Sequence, residues 1–146
     1  MRIKKVSQTT PIPATVVNVK SNSQTNTYSC DYINDLNTYS TTEQRIGTFS
    51  DGKPVYRKTL IANITNTNTV NVALDITNQD KVWINCGLGF FMKDDKSISM
   101  PLIYYYDSSN YVRTYISGTN AQIKIGASSW APGTAYIVVE YTKTTD

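Results

Sequence analysis

The chain has 146 residues, 17% of them charged, a formal net charge of +3 and no histidine. That length suits one domain around one core, and charge so weak and scattered lacks the dense basic face of a nucleic-acid binder. The absent histidine removes Ser-His-Asp and Cys-His catalysis together with the commonest metal ligand.

Thr, Asn, Ser and 11 Tyr dominate the composition, which favours strands and turns over long helices. The start, MRIKKVSQTTPIPATVV, is basic but lacks an apolar h-region, so no Sec-type signal is expected. No apolar run approaches the roughly 20 residues that span a bilayer, so membrane insertion is not expected either. Pro11-Ile12-Pro13 opens an extended passage, and Ala14 to Lys20 predicts a short strand. Ser21 to Thr27 is a polar linker. Thr27 to Asn37 predicts the one helix, with Tyr28, Tyr32 and Leu36 in a single stripe at i, i+4, i+8. So short a helix needs something to pack on.

From Arg45 the pattern is strand-like. Ile46 to Phe49 and Val55 to Leu60 flank a turn at Asp51-Gly52-Lys53-Pro54. Asn63 to Thr69 reads as a loop, and Val70, Val72, Leu74 and Ile76 mark a strand with one buried face. Lys81 to Met92 predicts one strand with Val82, Ile84, Cys86, Leu88 and Phe90 on one side and Trp83, Asn85, Gly87, Gly89 and Phe91 on the other. The two glycines predict a bulge or the close approach of another backbone. Lys93 to Lys96 is a charged turn. Ile98 to Tyr106 predicts a further strand, with Met100-Pro101 marking an edge or bulge. Tyr111 to Ser117 and Gln122 to Gly126 follow around Gly118-Thr119-Asn120. Ala127 to Gly133 is a loop, and Ala135 to Thr142 is the last strand, with Ala135, Ile137, Val139 and Tyr141 on one face. The expected fold is all-β: an antiparallel, jelly-roll-like β-sandwich of about eight strands over residues 41–146, preceded by an arm of linker and short helix over residues 1–40.

The chemistry left to such a chain is narrow. Cys30 and Cys86 cannot form a zinc site by themselves, so no metal and no cofactor is expected. Both read as free thiols, with Cys86 a small core residue; a disulfide between them stays open. A carboxylate pair could cleave glycosides, and the candidates are Glu43, Asp94, Asp95, Asp107 and Glu140. Asp94 and Asp95 lie in a lysine-flanked turn, Gly87-Leu88-Gly89 is not followed by a helix, and no catalytic residue is assigned. The chain does not read as an enzyme. What remains is a surface of aromatic and amide groups. Tyr105, Asn110, Tyr111, Tyr115 and Trp130 are the candidate ligand-binding residues, because tyrosine and tryptophan offer large faces with a polar handle. Strand alternation predicts Tyr104 and Tyr106 as core or subunit-interface rings, leaving Tyr105 exposed.

Glu43 to Leu60, EQRIGTFSDGKPVYRKTL, resembles the "IGT-W-x-DGKPIYRKT" hairpin of phage tail and tail-fibre modules, found in phages and prophages of gut Firmicutes and related bacteria. Pro101 to Tyr104 is similar to a Pro-Leu step midway in such modules, and the ending AYIVVEYTKTTD resembles their "AYVTLEYTKTTD". SNSQTNTYSCDYINDLN resembles the linker-plus-helix element before them, so the resemblance covers residues 16–146. Phe49 stands where the family usually has Trp.

The resemblance implies a virion protein, assembled in the bacterial host cytoplasm: a homotrimeric fibre head that binds host-surface carbohydrate or protein. Three copies packing the Tyr28, Tyr32 and Leu36 stripe would stabilise the short helix, and the arm would attach to another virion protein. The rival expectation is a purely structural part, such as a head fibre, capsid decoration or baseplate protein without a receptor role. If the natural chain is only 146 residues, it has no room for a long shaft, which favours the rival somewhat. A soluble carbohydrate-binding module is a third possibility, disfavoured by the expected lack of a secretion signal.

Overall fold

The structure is a computed structural model that describes residues 39–145. The predicted strand Ala14 to Lys20, the predicted helix with Tyr28, Tyr32 and Leu36, and Cys30 lie outside the described residues. Within them are ten strands: β1 Gln44–Thr48, β2 Pro54–Ile64, β3 Val70–Ala73, β4 Gln79–Ile84, β5 Phe90–Lys93, β6 Ser99–Pro101, β7 Tyr104–Tyr105, β8 Tyr111–Ser117, β9 Asn120–Ile125 and β10 Gly133–Lys143. One 3-10 turn, Ser128–Trp130, lies between β9 and β10, and the described residues hold no α-helix and no helix able to cross a membrane.

All pairings are antiparallel, and the strands form the two sheets of a β-sandwich. Sheet A runs β1-β2-β10-β5-β6, with β4 also on β10; sheet B runs β3-β9-β8-β7. The middle of sheet A is β10. Along one edge it pairs with β2 from Gly133 to Tyr141. Along the other it pairs first with β5, at Gly133 to Tyr136, and then with β4, at Val139 to Lys143. Its alternation aims Ala135, Ile137, Val139 and Tyr141 inward. There they meet Val112, Ile123 and Ile125 from sheet B, with Leu74, Phe91, Leu102 and Trp130 filling the core around them.

The predicted strand Lys81 to Met92 is two strands. Asn85 ends β4: its carbonyl accepts from Leu88 N at 3.2 Å and Gly89 N at 3.1 Å, and its Oδ1 accepts from Gly87 N at 3.2 Å. This turn changes the alternation, so that Phe91 faces the core with Val82 and Ile84, while Phe90 points outward with Trp83. Gly89 is where another backbone approaches: a Cβ there would stand 2.9 Å from the Tyr136 carbonyl oxygen.

The predicted strand Ile98 to Tyr106 also divides. β6 pairs with β5 in sheet A, while β7 pairs with β8 in sheet B, so the chain changes sheet between Pro101 and Tyr104. Proline lacks the N–H to continue a ladder, and the fully buried Leu102 anchors the crossing between the layers.

Candidate functional site

The outer face of sheet B collects most of the sequence's ligand candidates. Tyr105 of β7 is directly opposite Tyr111 of β8, and Arg113 and Tyr115 follow Tyr111 at the two-residue spacing that keeps side chains on one face. Val112 and Thr114, between them, are buried. Tyr105 is 74% exposed and Tyr115 38%, and the Arg113 guanidinium stands 5.5 Å from the Tyr115 ring centre. A cation over an aromatic face is attracted to it, weakly where both are exposed.

At the free edge of this sheet a cleft of about 260 Å³ is lined by Ile103, Tyr104, Tyr105, Tyr111, Val112 and Arg113. Pockets that swallow drug-sized ligands run roughly 300–1,000 Å³, so this one suits a single ring held against tyrosine. The loop above it is tied together by the Asp107 carboxylate. Asp107 Oδ1 accepts from Ser109 N at 2.7 Å and Asn110 N at 2.8 Å, and the Asn110 amide donates to both carboxylate oxygens. Those bonds, the Asn110 side chain first, hold the Asp107 carboxyl below its ordinary range.

Two candidates stand elsewhere. Asn110 spends its amide on Asp107 and so sets the loop. Trp130 is not on this face: only 8% exposed, it packs into the core with its ring centre 6.1 Å from that of Tyr104. The 3-10 turn ending at Trp130 points the indole inward instead of leaving it in an open loop. Tyr104 is half-buried, as its alternation requires, but Tyr106 is 75% exposed in this chain. Tyr106 lies beyond β7, with its N–H donating to Asn110 O at 3.0 Å, so strand alternation no longer governs it.

The candidate carboxylates are spread over the molecule. Glu43 accepts from the Tyr141 hydroxyl at 2.5 Å and from Lys143 at 2.7 Å. Burial and this bond push the Tyr141 phenol well up. Asp95 is bonded to Ser97 and Lys93, with Ser97 the larger cause of a carboxyl lowered to about 2. Glu140 is the most enclosed. Arg57 Nε and Nη2 donate to its Oε1 at 2.9 and 2.6 Å, Asn85 Nδ2 to the same oxygen at 2.9 Å, and Trp83 Nε1 to Oε2 at 3.0 Å. Burial raises its carboxyl, but the bonds from Asn85, Arg57 and Trp83 together outweigh that and lower it. Four donated hydrogen bonds, three on Oε1 and one on Oε2, make this carboxylate a link between β2, β4 and β10. Among the described residues no three Cys, Asp or Glu side chains group to hold a metal.

Sequence reasoning missed Arg57, Trp83, Asn85 and Arg113. Arg113 alone carried a local signal, its alternation with Tyr111 and Tyr115; the other three meet Glu140 through strand register. No family model, no curated protein and no solved structure matches this chain.

Proposed function

We propose that the protein is a bacteriophage virion component, a homotrimeric fibre-head module that binds a host-surface glycan or protein. The observation that carries this reading is the outer face of sheet B, where Tyr105, Tyr111 and Tyr115 share one surface beside an open cleft. Tyrosine provides rigid contact area at low entropic cost, with a hydroxyl to fix orientation. Weak sites on three subunits would add through avidity. The virion context comes from the resemblance of the Asp-Gly hairpin and of the closing strand, and the arm before residue 41 is the part assigned to a neighbouring virion protein.

The test is adhesion of the purified protein to a panel of gut Firmicutes cells. Tyr105→Ala and Tyr111→Ala are expected to abolish adhesion while leaving the thermal melt nearly unchanged. Retained adhesion in both variants would remove the face from the proposal.

A purely structural virion role is favoured by a different observation. The outer face of sheet A carries a second aromatic group, in which Phe90 stacks on Tyr136 at 4.9 Å, Tyr39 meets Phe90 edge-on at 6.3 Å, and Ile61, opposite Tyr136, is 48% exposed. Such a surface suits packing against another protein. Immunogold labelling of virions along the capsid, with none on the tail, would favour this reading over adhesion.

A further inference from the structure

We propose that the tyrosine face of sheet B takes an acidic saccharide, with the anionic group seated between Arg113 and Lys124. The inference rests on the receptor-binding reading of that face and names its ligand class.

Arg113 and Lys124 are directly opposite one another in the β8–β9 register. Like charges in that relation cost stability, and an opposing carboxylate nearby would remove the cost. None of the four strands of sheet B contains an Asp or Glu. Elsewhere Lys53, Arg57, Lys81, Lys93 and Lys143 each form a salt bridge, whereas among the described residues Arg45, Lys58 and Lys96 do not; what sets Arg113 and Lys124 apart is their direct opposition on one face. Among the described residues Arg113 and Lys124 form none; Arg113 has the Tyr115 ring instead. The pair is therefore held side by side, neutralised by nothing described, on the same face as three tyrosines. Gln122, Asn71 and Asn120 lie on that face as well, adding amide donors and acceptors for hydroxyls. Rings for stacking, amides for hydroxyls and two cations for a carboxylate or phosphate describe a charged sugar. Two cations are too few to track a nucleic-acid backbone.

The experiment is calorimetric titration of the full chain with four probes: oligogalacturonate, poly(glycerol phosphate), neutral dextran and a short oligothymidine. Binding is expected for at least one of the first two, and which one binds separates a carboxylate from a phosphate source. That binding should weaken as salt rises to roughly 0.15 M, and Arg113→Gln combined with Lys124→Gln should weaken it about tenfold or more. Removing two opposed like charges should not lower stability, so a melt at or above that of the natural chain serves as the folding control. Failure of both acidic polymers, equal binding of dextran, or tighter binding of oligothymidine would overturn the inference. Cell adhesion lost in Tyr105→Ala but intact in the double variant would overturn it too, and would leave the receptor reading standing. Charge-dependent binding of an acidic polymer, with no adhesion to any cell tested, would uphold the ligand class and overturn the receptor reading.

Discussion

Glu140 points away from the core and is still only 8% exposed. The reason lies in its neighbours: Arg57 and Trp83 are opposite it on the two flanking strands, and the hairpin tip closes over them, with Phe49 5.7 Å from Trp83. A buried charge with four donors is satisfied, but a donor set without its charge is not. Glu140→Ala is therefore expected to cost on the order of 3 kcal/mol in urea unfolding, because Arg57, Trp83 and Asn85 lose the bonds they donate to it. Glu140→Gln, which keeps shape but loses charge, should cost less. The pH dependence has a definite sign. The folded carboxyl lies below its ordinary 4.5, so its stabilisation is complete above that pH and is lost as pH falls through the folded value. Unfolding measured between neutral pH and about pH 3 should show a shallower acid-side loss for Glu140→Gln than for the natural chain. The sequence shows Glu140 facing with Tyr136 and Thr142; what surrounds it is settled by partners 55 to 83 residues away.

At the scale of elements, the Asp-Gly hairpin is the part most fully readable in advance. Gly52 N donates to Phe49 O at 2.9 Å, Lys53 N to Asp51 Oδ1 at 3.1 Å, and Gly52 has a φ of +86°, a left-handed conformation open to glycine at little cost. Its reach across the sheet is not readable. Lys53 and Lys81 meet Asp80 at 2.6 and 2.9 Å, Lys81 also meets Asp51 at 2.8 Å, and Thr142 donates to Asp80 at 3.1 Å. The tip thus ties β2, β10 and β4 together, and the lysines, Lys53 first, hold the Asp80 carboxyl far below its usual range. The break between β4 and β5 was half legible. The two glycines flagged a close approach, but the change of alternation depends on the turn at Asn85. Gly89→Ala puts a methyl group against Leu102 and the Tyr136 carbonyl. It should destabilise by about 1–3 kcal/mol in thermal or urea unfolding, as overpacking does. Gly52→Ala should cost about 1–2 kcal/mol from backbone strain alone.

At the scale of the whole molecule, two surfaces stand back to back: tyrosines with unneutralised cations on sheet B, and the Phe90–Tyr136–Tyr39 group on sheet A. If the second serves assembly, light scattering of the purified chain should give three times its 16.3 kDa mass. A stable monomer would remove the trimer from the proposal. The sequence by itself determined the all-β class, most strand positions, the hairpin turns and the inward face of β10. These follow from side-chain alternation and turn chemistry, which act over a few residues. Only the tertiary structure decided that Trp130 is core, that Tyr106 is exposed, that the chain changes sheet after Pro101, and that Arg113 faces Lys124. Each depends on strand register and on which sheet a strand joins, and these are set by contacts between residues far apart in the chain.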